Sequence, residues 1–200
     1  MKSRDDDSSD RPRSYGLILE AAADEVAERG RDGLNIERIA ARAGVNKALV
    51  YRYFGDRNRL IDAAMEHVLA ARIELVQTNP PALEDLLAVW IDRMNADKRY
   101  LQILLREALD CGISEIALEA QRRDYYRLQI EGVKRLQADG ELPVHIEPEM
   151  FFLALMSMLA FPAMFPRVVS LAIGADSDSE TFTRRWHETL VAMSRGGRTS

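Results

Sequence analysis

The sequence predicts an all-α protein. Apolar residues recur at helical spacing along nearly all of its 200 positions, glycines and prolines punctuate those runs, and nothing longer than a few residues alternates as a strand does. No internal repeat interrupts this pattern. The length allows one large domain or two small ones, enough to bury a core. A single cysteine, Cys111, excludes an internal disulfide framework and fits a reducing cytoplasm. Residues 1–13, MKSRDDDSSDRPR, are charged where a signal peptide would be apolar, and read as a disordered tail.

The first helix is expected from Ser14 to Arg29, where Leu17, Ile18, Ala21, Ala22 and Val26 share a face, and Gly30 ends it. Asn35 is placed to cap a short helix over 35–43 that buries Ile36, Ile39, Ala40 and Ala43, with Gly44 as its stop. Asn46 caps a third helix ending near Phe54; Gly55-Asp56 then breaks the chain, and Asp56 caps a long helix from Arg57 to about Gln77. Further helices are expected over 82–95, 98–110, 114–138, 148–172 with a break near its prolines, and 179–194. This divides the chain into a tail (1–13), a small three-helix unit (14–56) and a larger bundle (57–200) that begins with the linking helix 57–77.

The net charge of −5 conceals an asymmetry. Residues 38–59 hold Arg38, Arg42, Lys47, Arg52, Arg57 and Arg59 against Asp56 alone, whereas residues 61–200 carry 15 basic and 21 acidic side chains. A basic patch on an acidic body suits a local polyanion contact; a solvated helix face is the plain alternative. On a wheel of about 100° per residue, Val50, Tyr53 and Phe54 fall on one side of the third helix, and Lys47, Ala48, Tyr51 and Arg52 on the other. One side packs and the other is offered outward. The stretch IERIAARAGVNKALVYRYF therefore has the order helix, glycine-containing turn, helix of a helix-turn-helix, whose second helix enters the major groove. Lys47 can donate to guanine O6 and N7, and Ala48 can touch a thymine methyl. Tyr51 and Arg52, one turn on, suit phosphates. Arg57 and Arg59 stand in the first turn of the next helix, where the macrodipole disfavours cations by up to about 1 kcal/mol and an approaching phosphate would relieve the conflict. Arg59 has no firm assignment.

Residues 18–60, ILEAAADEVAERGRDGLNIERIAARAGVNKALVYRYFGDRNRL, resemble the TetR (tetracycline-repressor) family of bacterial transcriptional regulators without gaps. The agreement includes Ile18, Ala21, Ala22, Gly30, Gly33, Ile39, Ala40, Ala43, Gly44, Val45, Lys47, Tyr51, Phe54 and Leu60. Departures are Val26 for phenylalanine, Asn35 for threonine, Asn46 for serine, Ala48 for glycine and Gly55 for proline; both asparagines keep the capping chemistry. Arg52 stands where the family often has histidine or another polar residue. The resemblance covers about a quarter of the chain. It implies that Asn35, Asn46, Lys47, Ala48, Leu49, Tyr51, Arg52 and Arg57 face double-stranded DNA, with Leu49 at the boundary of the buried side. Arg42 could reach the backbone from the end of the second helix. Arg11 and Arg13 suit the minor groove, although aspartates surround them.

A recognition helix of about eight residues makes few contacts, and such proteins commonly supplement them by pairing on a two-fold related site. The resemblance implies a homodimer formed by the last two helices. Residues 150–166, MFFLALMSMLAFPAMFP, are apolar all round and are expected to be buried on every side. Their prolines, Arg167 and the amphipathic remainder of the chain argue against a membrane span. The interface expectation names Phe152 and Met156 there, with the stripe Phe182, Trp186, Leu190 and Met193 on the last helix. Completion of the monomer core is the alternative for both helices. The resemblance also implies a small-molecule effector pocket in the middle helices. Candidate lining residues are Trp90, Met94, Tyr100, Leu101, Leu104, Tyr125, Phe151 and Met158, whose types suit a mainly apolar ligand and equally suit plain core. Arg106 and Glu107 fall in an otherwise apolar helix, where a contact to a polar group of the ligand and a solvated position are both open.

Catalysis finds no support. His67, His145 and His187 lie far apart with no metal-ligand spacing, no phosphate-binding glycine loop occurs, and neither cofactor nor metal is implied. The expected function is that of a cytoplasmic regulator, a repressor that binds a palindromic operator as a dimer and is released by an effector. A helical ligand carrier or interaction protein without specific DNA binding is the alternative from another class.

Overall fold

The computed structural model describes residues 11–77, 82–109 and 118–196. Cys111 and the first ten residues of the expected tail lie outside them. Among the described residues ten helices run in the order α1 (Arg11–Gly33), α2 (Ile36–Ala43), α3 (Lys47–Phe54), α4 (Arg57–Gln77), α5 (Leu83–Ala96), α6 (Arg99–Leu109), α7 (Glu119–Ala138), α8 (Pro148–Met164), α9 (Pro166–Ile173) and α10 (Glu180–Arg195). The described residues divide into two compact units. The smaller holds residues 11–72, 102–109 and 118–119, and the larger holds 73–77, 82–101 and 120–196. Both α4 and α6 contribute residues to each.

In the smaller unit α1 starts at Arg11, three residues before the expected Ser14. Gly30 does interrupt it, at φ 73° and ψ 176°, but the helix resumes to Gly33. Ile18, Ala22 and Val26 of α1 are buried with Ile39 of α2, Val50 of α3 and Leu60, Ile61 and Ala64 of α4. A carboxylate joins this core: Glu25 is only 1 % exposed. Arg38 of α2 satisfies it, donating from Nε to Glu25 Oε1 at 2.7 Å and also from a terminal nitrogen, which reaches the Gly33 carbonyl at 2.8 Å as well. A buried carboxylate left without such donors would cost several kcal/mol, so this pair sets how α1 and α2 cross.

In the larger unit α5 packs against both α8 and α10, with Leu83, Leu87, Leu155 and Leu190 at the centre. The buried positions of α7 are Arg122, Tyr125, Gln129, Val133 and Leu136, one stripe at helical spacing. The expected break near the prolines falls at Phe165, between α8 and α9, whose axes turn by 89°; Pro162 stays inside α8. Among the described residues no single helix is long and apolar enough to cross a membrane.

Within one chain residues 150–166 are not buried on every side. Phe151, Phe152, Leu155 and Leu159 face the core, but Met150, Leu153 and Phe161 are about half exposed. Composition without periodicity concealed two faces.

Replacing Arg38 with alanine should lower the free energy of urea unfolding by about 1–3 kcal/mol, because it removes the donors hydrogen-bonded to Glu25 and leaves only Arg29, 3.8 Å away. The half-exposed arginine keeps the loss below that of a fully buried pair. Arg38→Lys should recover only part of it, since an ammonium cannot bridge Glu25 and the Gly33 carbonyl in the same planar geometry.

Candidate nucleic-acid interface

The turn between α2 and α3 follows from local chemistry. Asn35 accepts the Arg38 amide at 3.1 Å, and Asn46 accepts the Leu49 amide at 2.8 Å, so each helix begins on a side-chain cap. Gly44 adopts φ 67°, which L-residues disfavour, and lets its own amide and that of Val45 close on the carbonyls of Ala41 and Ala40. The turn is therefore short and its exit angle is set.

On α3, Val50 and Phe54 are buried, Leu49 and Tyr53 are half-buried, and Lys47, Ala48, Tyr51 and Arg52 are exposed. Tyr53 is less buried than its expected core role. It meets Tyr15 edge-on at 5.7 Å, while Tyr15 stacks on Phe54 at 4.8 Å. The N-terminal part of α1 thus braces the inner side of α3, leaving a continuous outward arc that starts at the helix N-terminus. Asn46 is exposed beside this arc and Asn35 is half-buried.

The cations of the arc are held by neighbours. Lys47 donates to Glu37 of α2 and lies 5.8 Å from the centre of the Tyr51 ring. Arg52 lies 5.7 Å from the Tyr53 ring. Arg42 donates to both oxygens of Glu28, at 3.0 and 3.1 Å, with Asp24 at 3.4 Å. These hydrogen bonds hold the Glu37 and Glu28 carboxyls below the usual carboxylate value and raise Lys47 and Arg42. All four groups are therefore charged at neutral pH, and DNA approaching Lys47 or Arg42 exchanges one anion for another. Glu37, Glu28 and Asp24 carry no sign of these roles in the sequence, because pairings across ten to eighteen residues leave no helical periodicity to read.

Arg57 takes a different position from the phosphate contact expected of it. Its guanidinium donates to the carbonyls of Arg31, Asp32 (3.0 Å) and Leu34 (3.4 Å), closing the α1–α2 junction. Arg59, unassigned in the sequence, pairs with Asp56 at 3.6 Å, while Asp56 accepts the Arg59 amide and caps α4. Arg13 is exposed in the first turns of α1, and Arg11 begins that helix.

The pocket candidates do not form one group. Phe151 belongs to the core of the larger unit, and Trp90, Met94 and Met158 pack on it half-buried. Tyr100 and Tyr125 are buried in a phenol cluster in which Tyr100 and Tyr126 share a hydrogen bond of 2.8 Å and Gln129 donates to Tyr125 at 3.1 Å. Burial, then the neighbouring Tyr126, pushes the Tyr100 phenol well above its ordinary value. Leu101 is buried, and Leu104 belongs to the smaller unit. Arg106 is not simply solvated: it bonds carbonyls of α1, and with Glu107 it lines a small cavity beside Val26, Met65 and Ile103.

The interface stripe also needs correction. Phe152, Phe182 and Leu190 are buried within the monomer, Leu190 completely, and Met156 and Trp186 pack against the same core. Of the six named residues only Met193 is exposed, at 59 %. On α10, Phe182, Trp186 and Leu190 lie on the inner side and Met193 on the outer.

Comparison with known proteins places this geometry. A family model described as bacterial regulatory proteins, tetR family, matches residues 18–64. The transcriptional repressor SCO4008 of Streptomyces coelicolor is 31% identical over 162 residues, which is 78% of this chain and 82% of that protein. The repressor Rv3405c of Mycobacterium tuberculosis is 37% identical over 93 residues, 46% of this chain and 45% of that one. The solved structure of SCO4942 from Streptomyces coelicolor superposes with a TM-score of 0.71 at 22% identity, covering 90% of this chain and 97% of the other. AibR, solved with isovaleryl coenzyme A and operator DNA, does so with a TM-score of 0.66 at 20% identity over 90% and 97%.

Glu37→Gln should raise affinity for duplex DNA of arbitrary sequence by about two- to five-fold at low salt, with the gain shrinking as salt is added. Fluorescence anisotropy across a potassium chloride series checks this; unchanged affinity would show that the carboxylate does not compete with DNA for Lys47.

Proposed function

Because this chain belongs to the TetR family of bacterial transcription regulators, we propose that it is a repressor which binds a palindromic operator as a homodimer and leaves it when a small, mainly apolar effector binds. The protein is a DNA-binding transcription regulator and not an enzyme. The observation that carries the reading is the outward arc of α3, backed by the buried Val50 and Phe54. It offers charge and a small apolar group at the N-terminal end, where a groove-entering helix meets base edges.

Lys47 reads guanine and Ala48 a thymine methyl, while Tyr51 and Arg52 position the helix on phosphates. Arg42 meets the backbone by exchanging its carboxylates for phosphate, and the free amides of Asn35 and Asn46 border the contact with Leu49. Arg57 shapes the junction behind it. The two copies meet through the exposed side of α8, where Met150, Leu153 and Phe161 follow one another at helical spacing, extended by Met193 of α10. Two-fold symmetry then sets the recognition helices about 34–36 Å or a multiple apart. An effector held in the larger unit shifts the population toward a form in which α4 alters that separation. AibR, by its description a binder of both an acyl coenzyme A and operator DNA, is a precedent for one helical chain of this fold serving both ligands.

Selection of bound duplexes from a random library tests the reading. Lys47→Ala should reduce discrimination at one base pair about ten-fold, whereas Arg52→Ala should weaken all duplexes alike and lower the salt slope by about one. Equal binding of all duplexes by the unaltered protein would favour the ligand-carrier alternative. Leu153→Asp should convert dimer to monomer in sedimentation equilibrium; a dimer that persists would place the interface elsewhere.

A further inference from the structure

The interruption of α1 at Gly30 has a structural consequence at the motif. A backbone at φ 73° and ψ 176° turns the amides that follow away from the helical ladder, so the carbonyls just before it need donors from outside. Arg106 of α6 supplies them. Its Nε donates to the Ala27 carbonyl at 2.8 Å and a terminal nitrogen donates to the Glu28 carbonyl. A guanidinium at this end of a helix also meets the negative pole of its macrodipole. The break needs glycine for its backbone, because φ 73° is disfavoured for L-residues; a Cβ there would meet Arg106 Cδ at 3.5 Å, an ordinary contact. On the far side of the break, Arg57 of α4 holds the carbonyls of Arg31, Asp32 and Leu34. The two halves of α1 are thus fixed from different helices.

The half that Arg106 holds is the one that orients the reading motif. Glu25 and Glu28, which take Arg38 and Arg42 of α2, lie within three residues of Ala27. Tyr15 in the same half packs on Tyr53 and Phe54 of α3. Arg106 touches none of the outward arc. We propose that Arg106 is a positioning residue for DNA binding: by closing the carbonyl end of the first segment of α1 it sets the angle at which α2 and α3 are presented. This rests on the assignment of α3 to operator DNA.

The test uses the full chain and the duplex of highest affinity selected by the unaltered protein, with a scrambled duplex of equal length as control. Affinities are measured across a salt series, below the melting temperature of every variant. R106A should bind the selected duplex about ten-fold more weakly, the scale of one or two impaired base contacts. Its affinity for the scrambled duplex and its salt slope should not change, since no phosphate contact is removed. R106K, with one donor site in place of two, should fall between, and carries the comparison if R106A does not fold. Unchanged affinity with a lowered melting temperature would make Arg106 a stabilising residue only. A slope lowered by about one would make it a phosphate contact, and either result overturns the proposal. Failure of the unaltered protein to select any duplex would instead overturn the DNA-reading assignment and this inference together.

Discussion

The Glu25 carboxylate sits in a core that offers it no water, and the crossing of α1 and α2 is built around its demand for donors. Only a guanidinium can meet that demand while also holding the Gly33 carbonyl, so Arg38 fixes both the depth and the rotation of α2. The turn at Gly44 is too short to absorb an error, and α3 inherits whatever orientation α2 has. Apolar packing alone would leave α2 more freedom to slide or roll, since only two of its four buried residues, Ile36 and Ile39, are large and Ala40 and Ala43 offer a methyl each. The ionic pair removes that freedom.

A second layer of charge lies over this frame and serves another end. Arg42 and Lys47 are exposed enough for their carboxylate partners to be replaced without opening the core. A surface pair of this kind adds little stability, yet it keeps long basic side chains in a restricted set of positions before DNA arrives. Fewer conformations are then lost on binding. The cost is a weaker general attraction to polyanions, which suits a protein that must leave most of a genome unoccupied.

Legibility in the sequence followed the range of the interaction. Asn35, Gly44, Asn46 and Asp56 act within three or four residues, and their capping roles could be read directly. The two faces of α3 followed from periodicity. Arg57 and Arg106 answer to carbonyls 23 to 79 residues away, and an arginine's sequence neighbours carry no sign of such a partner. For α8 the obstacle was different: when nearly every residue is apolar, periodicity has no contrast, and the distinction between Leu155 inside and Leu153 outside needs the position of α5. The stripe on α10 had contrast, but its direction depended on which helix reached it first.

The two tryptophans, Trp90 and Trp186, both belong to the larger unit, the second stacked 6.0 Å from Phe182. The smaller unit has tyrosines at positions 15, 51 and 53 instead. Indole emission excited at the red edge therefore watches the larger unit alone, whereas phenol emission mixes the motif with Tyr100, Tyr125 and Tyr126 of that unit. The molecule thus carries an intrinsic chromophore for the larger unit only. The delay between DNA binding and the indole response in a rapid-mixing experiment distinguishes a change that begins at the motif from one that begins in the larger unit.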